Sequence, residues 1–266
     1  MRLTIRIRDP RHRKLKSAVA LVLTFAAGFV DIVGVLAVYK VFTAHMTGTT
    51  VRLGEQRIRG NWRAAAVAAS VIAAFLLGSI LGRVLIEVGA RSATRRIASA
   101  TLLVELALLA SVIWWGSDAL YKTFVLRNPL TTICAILAML AAAMGLQTAT
   151  LTRIGPLTIH TTFVTGMLNK LGQLTSLWLF LTCDERHSRG ETKVKLNEQR
   201  TIAARRGGLV FAIWLCYLAG AISGTWLGLR LHLRALYFPC LLLLTAIVAD
   251  QIRPLSLEEE QEQSGL

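Results

Sequence analysis

Charge is what this sequence has least of. Only 17% of its 266 residues are Asp, Glu, Lys or Arg, against 54% hydrophobic, whereas a soluble domain carries roughly a quarter charged residues. The apolar residues come in long blocks, not at the spacing of a half-buried helix, and an ordinary soluble domain is thereby excluded. Cysteines are few and scattered: Cys134, Cys183, Cys216 and Cys240 form no C-x-x-C pair, so metal or redox chemistry of that kind is not expected. Three of them lie inside apolar blocks, as small buried hydrophobes do. No Walker loop, dinucleotide fingerprint or nucleophile elbow is present. The expectation is therefore a protein that is not an enzyme, uses no cofactor and is not an ATP-driven pump on its own.

What charge there is lies at the edges of the apolar blocks. The net charge is +15 from 30 Lys and Arg; seven of these fall between Arg2 and Lys16 and seven between Arg186 and Arg206. Nucleic-acid binding would need a folded basic face with interleaved aromatics, and nothing outside the blocks is long enough to build one. Basic clusters beside apolar blocks mark cytoplasmic segments instead.

Six blocks read as membrane spans: Ser17 to Tyr39, Ala64 to Gly82 (reaching Ile86 if Arg83 snorkels), Ile97 to Gly116, Leu130 to Leu151, Gly207 to Leu229 and Leu233 to Ala249. At 1.5 Å per residue the first exceeds the ~30 Å of a hydrocarbon core. It is also too long for a signal-peptide core of about 7 to 15 residues, so the basic leader is expected to precede an uncleaved anchor. Trp114 and Trp115 close the third block, as interfacial aromatics do. The segments 41–59 and 154–183 remain; the first is too polar to cross comfortably, and the second is ambiguous because Lys170 is its one full charge between Ile154 and Thr182.

These two leftovers resemble each other. TGTTVRLG from Thr47 matches TGMLNKLG from Thr165 at Thr, Gly, Leu and Gly. Upstream, AAGFVD ending at Asp31 corresponds to AAMGLQ ending at Gln147 with one residue inserted, and downstream FLLGSILG from Phe75 matches YLAGAISG from Tyr217. Three landmarks in one order indicate two homologous halves. With three crossings each, the second half enters the membrane inverted, a symmetry common among secondary transporters.

The pair GFVDIVGVLAVYKVFTAHMTGTTVRLG and MGLQTATLTRIGPLTIHTTFVTGMLNKLG resembles the YoaK family of bacterial membrane proteins, over nearly the whole chain outside the basic leader and acidic tail. The resemblance implies six spans and no assigned biochemical activity. Members commonly carry Asn where this chain has Thr49.

The expected fold is all-α: a polytopic bundle of about six transmembrane helices in two homologous halves, each with a re-entrant or interfacial Thr-Gly segment. Its parts are a basic cytoplasmic leader (1–16), a first three-span repeat (17–116), a second (117–249, with a cytoplasmic loop at 183–206) and an acidic tail (250–266). With the N-terminus inside, cytoplasmic segments hold 21 Lys and Arg and external ones 9, satisfying the positive-inside rule. Eight crossings would give 22 against 8, so charge does not separate the two topologies. Both place the two termini in the cytoplasm, with the chain in the plasma (inner) membrane.

Asp31 sits in mid-span, where an ionised carboxylate costs roughly 2.5 to 3.5 kcal/mol. Thr24, Ala27, Gly28, Asp31 and Gly34 share an arc of roughly 120°, a face that must meet protein or water. A proton or cation site and a hydrogen-bonded packing acid both satisfy this. Glu105, one turn after Thr101, is either a relay partner of Asp31 or a structural carboxyl. Gln147 bridges helices or binds solute. Thr47 and Gly48, with Thr165 and Gly166, stand where a short helix begins, and unpaired N–H groups there suit an anionic or carbonyl ligand; the same residues also serve as caps. His45 and His160 do not align and have no metal-spaced neighbour, so no metal is expected. Gly78 and Gly82, and Gly220, Gly224 and Gly228, are assigned to close helix packing.

The functional expectation is a small-solute permease or secondary transporter in which the Thr-Gly elements meet near the midplane. The alternative is a non-transporting assembly or scaffold protein whose glycine faces contact other helices. The expected partners are lipid, a small solute or proton, no nucleic acid and, optionally, further copies of the chain.

Overall fold

The computed structural model describes residues 10–36, 41–92, 97–116, 129–150 and 161–252, together with two-residue strands at 153–154 and 157–158. The helices are α1 (Pro10–Gly34), α2 (Met46–Ile58), α3 (Trp62–Arg91), α4 (Ile97–Trp115), α5 (Pro129–Thr150), α6 (Val164–His187), α7 (Gly190–Leu231) and, after a 3₁₀ turn at His232–Leu236, α8 (Tyr237–Ile252); each of the six apolar blocks falls largely within one of them, and α2 and α6 arise from the two segments left over. The two short strands pair antiparallel, Arg153 with Thr158 and Ile154 with Leu157. The described fold is otherwise helical, and five stretches of it are long and apolar enough to cross a membrane: Lys14–Gly34, Trp62–Gly89, Ala98–Trp115, Leu130–Thr150 and Gly190–Ile252.

Local chemistry sets the boundaries. Proline opens α1 and α5, where its missing N–H costs nothing. Gly60, at φ +73°, turns the chain between α2 and α3, and Asn61 Oδ1 then accepts the Ala64 N–H at 3.3 Å as a cap. The first apolar block was expected to run to Tyr39, but the α-helix ends at Gly34 and Val35 and Leu36 form a π turn.

Residues 183–206, expected as a loop, are helical on either side of Ser188 and Arg189. Glu, Gln, Lys and Arg are good helix formers without any apolar face, and Arg200 ties α7 back to Glu185 of α6 at 2.7 Å. The C-terminal helix likewise outlasts its apolar run. Asp250, expected to open the tail, is fully buried; its Oδ2 accepts the Ser99 N–H at 2.9 Å and the Ser99 hydroxyl at 2.5 Å, satisfying orphan donors at the start of α4.

α1 and α5 form the centre. Leu23, Phe29 and Val30 on α1, and Leu137, Leu140, Met144 and Leu146 on α5, are at most 1% exposed. Outward faces are apolar instead of polar: Leu76, Leu77, Ile80, Leu81, Val84 and Val88 make an exposed stripe along α3, the surface expected where hydrocarbon is the solvent.

Two helix crossings dominate the packing: α1 on α7 and α3 on α5. Both bring backbone onto backbone. A Cβ on Gly28 would overlap the Tyr217 carbonyl, and one on Gly220 would overlap that of Phe25; at the other crossing Gly145 meets the Phe75 carbonyl and Gly78 that of Ala142. Gly224 and Gly82 extend the two contacts, with a Cβ falling 2.6 Å from Ile32 Cγ2 and 2.9 Å from Ala149 Cβ respectively. Gly228 is different: a Cβ there would lie 3.5 Å from Val33 Cγ2, an ordinary contact distance. Small residues thus let these helices approach.

Candidate functional site

A cavity of about 460 Å³ opens where the two crossings and the two Thr-Gly helices converge. Its walls include Asp31 and Gly28 of α1, Phe75 of α3, Thr148 of α5, Tyr217 and Ala221 of α7, and the starts of α2 and α6 through Thr47 and Thr165. Sequence reading placed Asp31, Thr47 and Thr165 in one site, and all three line this cavity.

α2 and α6 begin alike. His45 (φ −91°, ψ 72°) and Phe163 (φ −106°, ψ 77°) occupy the N-cap positions, and neither helix has a side-chain cap hydrogen bond. The ring of each folds over the glycine three residues on. A Cβ on Gly48 would sit 3.2 Å from His45 Cδ2, and one on Gly166 would run into the Phe163 ring. These glycines seat an aromatic ring, a use that the motif alone did not reveal. Both rings also line the cavity, with Phe42 beside His45 at 5.6 Å between centroids.

Asp31 is 4% exposed and held by four donors. Its Oδ1 accepts the Thr43 N–H at 2.6 Å, the Ala44 N–H at 2.8 Å and the Thr43 hydroxyl at 3.2 Å. Its Oδ2 accepts the Tyr217 hydroxyl at 2.8 Å. The carboxylate thus sits at the start of α2, where the helix dipole favours negative charge, and it joins α1 to α7. A buried carboxylate needs such partners, since leaving one unpaired costs several kcal/mol.

Among the described residues, the corresponding place at α6 holds no carboxylate. Thr148 and Thr162 face each other there, Oγ1 to Oγ1 at 2.6 Å, and Thr148 also donates to the Met144 carbonyl in its own helix at 2.7 Å. Gln147, fully buried, lies one residue off the cavity wall: its Nε2 donates to the Leu23 carbonyl of α1 at 2.7 Å and reaches Thr161 Oγ1 at 3.4 Å. It bridges helices, while its Oε1 has no partner among the described residues.

Glu105 is not part of this site. It is 1% exposed on α4, and neither carboxyl oxygen meets a hydrogen-bond partner among the described residues. Nearby, Thr150 donates to Thr101 Oγ1 at 2.9 Å, linking α5 to α4. Thr49 is turned away from the cavity, donating to the His45 and Phe42 carbonyls at 3.0 and 3.2 Å. His160 lies outside the described residues. Tyr217, Thr148 and the rings of Phe42, Phe75 and Phe163 were not singled out as site residues. Tyr217 carried a signal: a phenol inside an apolar span needs a hydrogen-bond partner.

Apolar helices of spanning length packed around a shared cavity define a multi-pass membrane protein. The chain belongs to the family described as "Protein of unknown function (DUF1275)", which residues 19–249 match. It is 29% identical over 150 residues to the "UPF0700 transmembrane protein YoaK" of Bacillus subtilis (strain 168), an alignment covering 56% of this chain and 62% of that protein. The chain therefore spans somewhat less than two thirds of that relative's length. No solved structure matches.

Proposed function

We propose that the protein is a small-solute permease of the secondary-transporter kind, with the cavity between the two Thr-Gly helices as its solute site. The observation that carries this reading is the convergence of both repeated elements and a buried carboxylate on one cavity of about 460 Å³, within the ~300–1,000 Å³ range of small-molecule sites.

The two-half architecture is part of the proposal. Its support is the crossing geometry: Gly28 against Tyr217 and Gly220 against Phe25 have the same form as Gly145 against Phe75 and Gly78 against Ala142. Six crossings follow if α1, α3, α4, α5, α7 and α8 span while α2 and α6 enter from opposite sides and meet N-terminus to N-terminus. Discontinuous helices of this kind hold solutes at the midplane of many transporters, and irregular backbone at that depth is tolerated where it lines a cavity. Both termini then lie in the cytoplasm, and the positive-inside count agrees.

The scaffold alternative relies on glycine faces being free for other proteins. Gly78, Gly82, Gly220 and Gly224 are occupied by helices of the same chain, which favours the permease reading. In that reading Asp31 fastens α1, α2 and α7 together, and rocking of the halves remakes its bonds.

The test is flux into proteoliposomes across a broad solute panel, comparing the native chain with Asp31→Asn and Thr47→Val. Solute movement that depends on these residues is the expected result. If no solute moves, or if both variants move everything as the native chain does, the cavity is not a transport site.

A further inference from the structure

The two ends of the cavity are built on one plan and differ in a single charge. Taking Gly28 with Gly145, as the crossings do, Asp31 corresponds to Thr148; taking Thr47 with Thr165, Thr43 and Ala44 correspond to Thr161 and Thr162. At the first end a carboxylate on α1 accepts the N–H groups of residues 43 and 44, just before α2. At the second, the Thr148 hydroxyl faces Thr162 just before α6, and no carboxylate is bound there among the described residues. Cavity space adjoins Thr148, Thr162, Val164 and Thr165.

We infer that the solute is a small monocarboxylate, and that its carboxylate takes at the start of α6 the place that Asp31 takes at the start of α2. This rests on the cavity being the solute site and adds the class of solute. The Thr148 and Thr162 hydroxyls are donors able to turn toward an incoming anion, and the dipole end of a 24-residue helix favours it. Asp31 keeps its charge, since its four donors are neutral, and repulsion from it confines the solute carboxylate to the α6 end of the cavity. The rest of the lining suits an apolar body: Phe42, Phe75, Phe163 and Tyr217 present rings, and among the described residues no Lys or Arg lines the cavity.

The purified full-length chain in detergent is titrated with two matched trios, acetate, acetamide and ethylamine, and benzoate, benzamide and benzylamine. Heat of binding and the shift in thermal unfolding are both read. Carboxylates are expected to bind and their amide and amine counterparts to bind at least ~10-fold more weakly, the ratio that one lost charge-assisted contact gives. Thr148→Asp supplies a fixed carboxylate; it is expected to abolish carboxylate binding while unfolding no lower than the native chain. Should that variant not fold, Thr162→Val is expected to weaken carboxylate binding several-fold. Amides or amines binding as well as the acids would overturn the anion assignment and leave the cavity as a solute site. Silence from all six compounds would overturn it too, and the flux comparison above then decides separately whether the cavity carries solute at all.

Discussion

The α2 end and the α6 end of the cavity share a backbone and differ in what satisfies it. At α2 the protein supplies its own anion, Asp31, with four donors around it. At α6 it supplies two hydroxyls that face each other. One end is therefore locked by a charge fixed in the chain, and the other holds neutral, rotatable groups. Two helix starts of like backbone with unequal side chains separate the features present at both ends from those that serve one end alone. The glycine crossings fall in the first group and Asp31 in the second.

Four measurements would break or sharpen that contrast. The largest effect is expected from bulk at the shared crossings. Gly28→Val and Gly145→Val both drive a side chain into a backbone carbonyl, and each should cost more than ~3 kcal/mol, seen as loss of the monodisperse peak in size-exclusion chromatography. Gly228→Ala should stay near native. If one crossing tolerated Val and the other did not, the two would not be equivalent.

Next comes the unequal pair. Asp31→Ala leaves two buried N–H groups and the Tyr217 hydroxyl without an acceptor and should destabilise by about 3 kcal/mol; Thr148→Ala removes one neutral hydroxyl contact and should cost about 1 kcal/mol. Thermal unfolding in detergent measures both. Asp31→Asn keeps an oxygen for the Thr43 and Ala44 N–H groups, so its cost should lie between these two, and Tyr217→Phe should cost about 1 kcal/mol. Equal effects of Asp31→Asn and Asp31→Ala would mean that the charge, not the acceptor, holds the start of α2. The smallest effect is expected at the seated rings. Gly166→Ala must displace the Phe163 ring and Gly48→Ala only nudges His45, so the first should lower the unfolding midpoint more, each by less than about 1 kcal/mol because a ring at a cavity wall can swing.

Much of the fold is legible in the sequence because spans are made by the absence of charge, and absence is easy to read. Gly78, Gly82, Gly220 and Gly224 stood out through their spacing, since a Gly every fourth residue lies on one helix face; Gly28 and Gly145, equally close to a facing carbonyl, have no such spacing, and Gly228, which has it, makes only an ordinary contact. Other features carry no such signature. Residues 183–206 look like a loop because helix propensity in charged segments is a weaker signal than hydropathy, yet they are helical on both sides of Ser188 and Arg189. The link from Asp250 to Ser99 spans 151 residues, a distance over which no local pattern operates. At the site, Asp31 and the threonines stood out because polar groups in an apolar span are costly. Thr148 did not, since a threonine in a helix normally bonds its own backbone, as this one also does. Sequence alignment puts Gln147 near the place of Asp31, while under the proposed two-half reading the glycine crossings pair Asp31 with Thr148; the one-residue difference is 100° around a helix, which separates a cavity residue from a bridging one.

The crossings have a mechanical side. Where rods touch through bare main chain, no interlocked side chains must disengage before one rod turns on the other, so resistance to twisting resides in the surrounding leucine-rich contacts. Such a joint behaves as a smooth bearing, and a single methyl group added to it is grit.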